Sequence, residues 1–228
     1  MSDGIKHAIR LDKSIGFGII SQMKEKIKKI YREEWDYFKS QIVRPAAVCA
    51  LGFAVVAILY YAASVQDIAA AQNIYSQIGQ AFAEKGLFAE MSRIQLFGMI
   101  FANNIVAGLF VFAAGIFPFL FFPFWLVLFN AALAGVVVAV SRDSGASAVS
   151  MIASLVPHGI VELPALFFTA GLGIRVCLAA TGKLISKGKG IGFAATLVRS
   201  ARSFLLVALP LFLLAAFIEA FVTVSLVK

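Results

Sequence analysis

Residues 157–164, Pro157-His158-Gly159-Ile160-Val161-Glu162-Leu163-Pro164, place a histidine and a glutamate inside an apolar run that has no other ionisable residue before Arg175. Either side chain is costly to place in hydrocarbon, so such residues in a membrane segment usually organise the protein or carry its function. Pro157 removes a backbone hydrogen bond and Gly159 weakens a helix interior. We therefore expect the helix to break at Pro157-Gly159, with Pro164 also belonging to the disturbed stretch, and a polar centre to form there.

The composition decides the class of protein. Hydrophobic residues make up 61% of the chain, charged residues make up 14%, and the mean hydropathy is +0.92. These values lie far outside the range of soluble domains. We therefore predict an integral membrane protein, and the 228 residues leave no room for a soluble enzyme domain.

Several apolar runs have the length of about 20 residues that crosses a hydrocarbon core of about 30 Å. The predicted spans are residues 44–64, 94–115, 119–140, 148–181 and 204–226. At 1.5 Å per residue the fourth would measure about 50 Å as a straight helix, so it must tilt, kink or re-enter. The predicted fold is an all-α membrane protein with about five transmembrane helices, the fourth broken, and additional amphipathic interfacial helices.

Charged residues divide the chain and orient it. Residues 1–44 hold ten Lys and Arg, and the loop before the last span holds five. The stretch after the first span holds two, and the loop after the third span holds one. Because positive flanks stay in the cytoplasm, we predict a multi-pass protein of the cell membrane with a cytoplasmic amino terminus and an outside carboxy terminus.

Two domains follow from this division. Residues 1–43 form a cytoplasmic amphipathic helix, with Ile27 and Trp35 on its apolar side and the run from Lys24 to Lys29 on the other. Residues 44–228 form the five-span domain, which includes an outer interfacial segment at 66–92 and a cytoplasmic basic loop at 182–203.

Depth in the membrane relates the scattered polar residues of the spans. Counted at 1.5 Å per residue, the asparagines of the second and third spans lie at about the same level. Glu219 lies somewhat nearer the outside, and His158 and Glu162 fall in the outer half if the fourth segment enters from the outside. We therefore expect one buried cluster of Asn103, Asn104, Asn130, His158, Glu162 and Glu219.

Three kinds of site fit such a cluster. Asparagine amides could pair with His158 and Glu162 as a structural polar core between helices. Intramembrane carboxylates and histidines are also typical of proton or solute relays. His158, Glu162 and Glu219 are the candidate ligands if a divalent metal such as zinc binds, since one histidine and two carboxylates supply three protein ligands. No other cofactor is expected, and Cys49 and Cys177 form neither a CxxC motif nor a disulfide framework.

The polar residues and glycines together resemble a known family. The ordered set is Asn103-Asn104, Asn130 with Gly135, His158-Gly159 with Glu162 and Pro164, Gly171 and Gly173, and Ile218-Glu219-Ala220-Phe221. It resembles the stage II sporulation protein M family of polytopic membrane proteins over about residues 40–228. Ala131 departs from the pattern, because we expect a glycine after Asn130.

The resemblance implies a five-span protein that acts with partner proteins in a peptidoglycan-remodelling complex during endospore engulfment. In such complexes the family member resembles a scaffold, and its partners carry the enzymes. A non-enzymatic scaffold or assembly component is therefore the first functional expectation. The alternatives are a small transporter or channel that uses the polar cluster, and a metal-dependent intramembrane hydrolase.

The expected partners are the lipid bilayer and other membrane or cell-envelope proteins. Small residues on helix faces, such as Ala131 and Gly135, allow close helix association and make a homodimer a further expectation. Nucleic acid is not expected as a partner, since the positive-inside rule already accounts for the basic residues.

Overall fold

The computed structural model describes residues 2–84, 91–186, 192–223 and 225, without the side chains of 2–19, 82–84, 154, 155 and 158. The described residues form helices joined by short turns, and they contain no strand. The α-helices are α1 (Ser2–Tyr37), α2 (Val43–Gln66), α3 (Ile68–Glu84), α4 (Arg93–Ala113), α5 (Phe122–Asp143), α6 (Ala148–Ile185), α7 (Phe193–Ser203) and α8 (Leu209–Ile218). Single wider, π-helical turns cover Phe38–Ile42, Phe204–Ala208 and Glu219–Thr223, and a 3₁₀ turn covers Ala114–Ile116.

The chain forms two compact units, residues 1–40 and residues 41–228. The first unit is helical over its described residues, and an apolar stripe on it is exposed. Ile20, Met23, Ile27, Tyr31 and Trp35 form this stripe at helical spacing. Lysines flank it, as expected for an amphipathic helix.

In the described residues, five helical stretches are long and apolar enough to cross a membrane. They contain α2, α4, α5, the part of α6 from Gly159 to Ile185, and the pair α7–α8, which confirms the predicted all-α class with five spans. The helix α6 is the central one. In its most apolar window 67% of the residues are buried, against 17–33% in the other four stretches. It packs against α2, α4, α5, α7 and α8.

Side-chain caps begin three of the helices. Ser92 and Gln95 form a capping box at the start of α4, with the Ser92 N–H donating to Gln95 Oε1 at 2.9 Å. The Ser147 hydroxyl accepts from the Ser150 N–H at 3.1 Å before α6. Asp67 Oδ1 accepts from the Ala70 N–H at 3.0 Å before α3. These contacts satisfy N–H groups that a helix start leaves without an intrahelical partner.

The predicted break in the fourth span is wrong. The helix α6 continues from Ala148 to Ile185 through both Pro157 and Pro164, with Gly159 helical between them. Each proline removes one hydrogen bond, but the turns on either side keep theirs. An apolar environment offers no water to replace lost helical bonds, so continuing the helix costs less than ending it there.

The described parts of the predicted interfacial segment at 66–92 and of the predicted basic loop at 182–203 are mostly helical. One helix, α3, occupies the described part of 66–92, and its Ala71 is buried with Val136 and Val140 of α5. In the predicted basic loop at 182–203, α6 extends to Ile185 and α7 begins at Phe193. Residues 187–191 lie outside the described part of the chain.

Candidate functional site

One face of α4 forms the floor of the candidate site. Ile100, Asn104, Gly108 and Val111 follow one another at intervals of three or four residues, and all four are buried. Ile100 clusters with Ala216 of α8 and with Ala220 in the last helical turn. A Cβ atom at Gly108 would lie 2.7 Å from the Phe212 ring. This face therefore packs along the last helix, with Asn104 between the Ile100 and Gly108 contacts.

Asn104 carries an unsatisfied buried donor. The residue is 8% exposed, and its Nδ2 atom has no hydrogen-bond partner among the described residues. Among the described side chains the other buried nitrogen without a partner is Nε of Arg175, a half-buried residue of α6. An amide buried without a partner usually costs about 1–3 kcal/mol. Asn104 is therefore the residue of the predicted cluster at which an additional polar group would be stabilised.

Two carboxylates belong to the elements around Asn104. Glu219 begins the wide turn Glu219–Thr223 and is half-buried. Glu162 is half-buried on α6, three residues before the fully buried Ala165. The helix α4 and the helix α6 both pack against the turn that contains Glu219. The fold thus brings together the three elements that carry Asn104, Glu162 and Glu219, and Asn103 is half-buried beside them.

His158 is placed through its backbone alone, since its side chain lies outside the described set. It is helical, and α6 is continuous between it and Glu162. Positions four residues apart share a helix face, and the alignment of the two side chains stays a prediction. In the part of the chain whose side chains are described, no three His, Cys, Asp or Glu residues group as metal ligands.

Asn130 does not join the buried cluster. Its side chain is exposed, and Nδ2 donates to the Leu126 carbonyl of its own helix at 2.8 Å. Its neighbours Ala131 and Ala132 are buried. Depth counting carries no information about rotation around the helix axis. A helix turns about 100° per residue, so burial of Ala131 and Ala132 points Asn130 outward.

Arg93 is a residue that the sequence reasoning missed. Its Nη1 atom donates to the carbonyls of Ala220 at 3.1 Å and Phe221 at 3.2 Å, and to the Ser225 hydroxyl at 3.0 Å. Carbonyls near a helix end lack intrahelical donors, and a guanidinium supplies several. Arg93 therefore holds the turn that begins with Glu219. The only sequence signal was an arginine at the start of a span, which also fits a simple interfacial anchor.

Comparison with known proteins gives one result. The sequence model described as stage II sporulation protein M matches residues 46–224. No curated protein and no solved structure matches the chain. The match covers most of the chain: α2 from its second turn onward, the later helices that are long and apolar enough to cross a membrane, and all six residues of the predicted polar cluster. The chain therefore belongs to the stage II sporulation protein M family.

Proposed function

We propose that this membrane protein is a non-enzymatic scaffold or assembly component that recruits partner proteins. The observation that carries the proposal is the exposed apolar stripe of α1. Ile20, Met23, Ile27, Tyr31 and Trp35 are each at least 50% exposed. An apolar stripe of this kind is stabilised when another amphipathic helix covers it. Lysines beside the stripe, such as Lys24 and Lys28, favour a partner helix with acidic flanks.

The packing of the membrane domain supports a structural role. Gly115 of the turn after α4 lies against the backbone of Gly173 in α6. A Cβ atom at Gly135 of α5 would lie 2.5 Å from the Ala57 carbonyl of α2. Such backbone-to-backbone contacts close the space between helices, and they suit a rigid platform better than a conduit between helices.

Orientation belongs to the same proposal. With ten Lys and Arg in residues 1–44, the amino terminus lies in the cytoplasm, and the carboxy terminus lies outside. The stripe on α1 then faces cytoplasmic or membrane partners. The turn after α5, with its single Arg142, lies on the outer side.

The test compares native complexes that contain different variants. Met23→Glu with Ile27→Glu places two charges in the stripe, while Gln22→Glu adds the same residue on the polar side of α1. Native membranes are solubilised mildly and resolved by blue native electrophoresis, and the components are identified by mass spectrometry. We expect the double variant to lose a larger assembly that Gln22→Glu and the wild type keep. An assembly unchanged by the double variant, or one made only of this chain, would contradict recruitment through α1.

A second function has one specific observation in its favour. The unpartnered Nδ2 of Asn104, near elements that carry Glu162 and Glu219, is suited to a transporter or channel site. Proteoliposomes with a pH-sensitive dye inside test this function for protons. A wild-type proton flux that disappears in Glu219→Gln would favour transport over the scaffold. A flux equal to that of empty vesicles favours the scaffold.

A further inference from the structure

A pocket opens where the ends of α2 and α5 meet the start of α3. The helix α2 ends at Gln66, α5 ends at Asp143, and the first turns of α3 pack on α5. The pocket has a volume of about 450 Å³, within the range of about 300–1,000 Å³ of small-molecule sites. Its lining is partly apolar and partly charged, and consists of Val65, Ile68, Ala139, Arg142 and Asp143. Such a lining suits a ligand that is itself partly apolar and partly charged.

Arg142 and Asp143 contribute opposite charges to this lining, and residues of two other helices hold them. Arg142 Nη1 donates to the Tyr61 hydroxyl of α2. Asp143 Oδ2 accepts from Gln72 Nε2 of α3 at 3.0 Å. Both partners are uncharged, and neither Arg142 nor Asp143 forms an ion pair with another described residue. A guanidinium has five N–H donors and a carboxylate has two acceptor oxygens, so most of their bonding capacity is left for a ligand.

The arrangement of the two charges selects the kind of ligand. Because consecutive residues of a helix do not face each other, Arg142 and Asp143 border the pocket side by side instead of pairing. A ligand with one negative and one positive centre pairs with both residues. An ion of a single charge leaves one of them unpaired, so the pocket favours a zwitterionic group.

The level of the pocket in the membrane identifies the source of that group. The first apolar stretch ends at Gln66, and the stretch that contains α5 ends at Asp143. Val65, beside the end of α2, is 54% exposed. The change from apolar to charged residues at the end of a span marks the depth of the lipid headgroups. The pocket therefore borders the headgroup region, where phospholipids present charged groups above an apolar glycerol and chain region.

We propose that this pocket binds the phosphoethanolamine headgroup of a phosphatidylethanolamine molecule of the bilayer. The phosphate accepts from the Arg142 guanidinium, and the ammonium donates to the Asp143 carboxylate. The glycerol region lies against Val65 and Ile68, and the chains leave toward the hydrocarbon. Phosphatidylcholine has no N–H to donate to Asp143, and phosphatidylglycerol has no cation to pair with it.

Native mass spectrometry of the delipidated full-length protein tests the proposal. Phosphatidylethanolamine, phosphatidylcholine and phosphatidylglycerol with identical chains are titrated separately, and soluble phosphoethanolamine is the fourth probe. Val65→Trp fills the pocket, and the matched control Val55→Trp makes the same change at an exposed position of α2 that does not line it. Arg142→Gln and Asp143→Asn each remove one charge from an exposed side chain, so the packing of the bundle is kept.

We expect the wild type to bind one phosphatidylethanolamine about threefold more tightly than either other lipid, a ratio in the range of one exposed ion pair. Val65→Trp loses this preference, and Val55→Trp keeps it. Arg142→Gln weakens the binding of phosphatidylethanolamine. Asp143→Asn reverses the order in favour of phosphatidylglycerol, because the pocket then holds a cation alone.

Three outcomes of the titration would overturn the proposal. One is equal binding of the three lipids by the wild type. Another is a phosphatidylethanolamine preference that both charge variants retain. The third is binding of soluble phosphoethanolamine as tight as that of the lipid, because a soluble zwitterion would then be the ligand.

A carbodiimide provides a second readout that needs no folded variant. The reagent joins a carboxylate to a primary amine in contact with it, and phosphatidylethanolamine carries such an amine. In vesicles of phosphatidylethanolamine and phosphatidylcholine, we expect the lipid adduct on Asp143 and little on Asp67, which is also exposed but does not line the pocket. Peptide mass spectrometry locates the adduct. Equal adducts on Asp67 and Asp143 would contradict binding in the pocket.

Discussion

Gly115 and Gly173 meet backbone to backbone, so that a Cβ atom on Gly115 would collide with the Gly173 carbonyl group. This contact joins the end of α4 to the central helix α6, and backbone atoms cannot move aside as a flexible side chain can. It sets the spacing of the bundle at the end that carries the aromatic turn, residues 117–122, where the Phe119 N–H donates to Thr181 Oγ1 of α6 at 2.9 Å.

Gly115→Ala should therefore destabilise the protein by about 1–3 kcal/mol, the usual cost of overpacking. Thermal unfolding in detergent measures the effect. Gly159→Ala is the matched control: its backbone is helical, and outside its own helical turns no atom of the described residues lies within 4 Å of a Cβ at Gly159. The control should be neutral or stabilising, because alanine loses less backbone entropy in a helix. An equal loss of stability in both variants would show that the Gly115 contact leaves room for a methyl group.

Arg93→Met should loosen the end of the last helix. The variant removes one donor group that reaches two carbonyls and one hydroxyl, and hydrogen bonds to charged groups contribute about 1.5–3 kcal/mol each. We expect faster hydrogen exchange in residues 219–223 and a loss of about 2 kcal/mol in stability. Arg142→Met, which loses a bond to the Tyr61 hydroxyl, serves as the comparison. Unchanged hydrogen exchange at residues 219–223 in Arg93→Met would show that Arg93 does not hold this turn.

Asn104→Leu tests whether the Asn104 amide pairs with another polar group. Because Nδ2 is buried without a partner, leucine should leave stability unchanged or raise it by about 1 kcal/mol. Thermal unfolding with and without reconstitution into lipid checks this outcome. A clear loss of stability would mean that Asn104 pairs with a group in the membrane, and the transporter alternative would gain support.

Labelling with a membrane-impermeant maleimide checks the orientation. Cys49 and Cys177 are buried, so they should give little background. Cysteine at the exposed position Ser144 should react in intact cells, because the turn after α5 faces outward in the proposed topology. Cysteine at the exposed position Gln22 should react only after permeabilisation. The reverse pattern would invert the topology and move the α1 stripe to the outer side.

Reasoning from the sequence succeeded for the class, the five spans and the family. Apolar length and charge count are additive along the chain, so they need no knowledge of the neighbouring helices. Reasoning from the sequence failed at Pro157, where the missing backbone hydrogen bond predicted a break in the helix. Continuing the helix costs less in apolar surroundings, and α6 remains whole.

At the candidate site, too, the sequence predicted some features correctly and others wrongly. Asn104 is buried as expected, whereas Asn130 points outward from α5. Position along a span gives depth, but burial depends on rotation about the helix axis, which packing against the other helices determines.

The sequence by itself determined that this chain is a five-span helical membrane protein of the stage II sporulation protein M family. Only the tertiary structure decided which asparagines are buried, which carbonyls Arg93 reaches across more than a hundred residues, and how α6 holds the aromatic turn. The physical reason is that hydrophobicity acts locally on each segment, while hydrogen bonds and close packing depend on atoms that distant segments bring together.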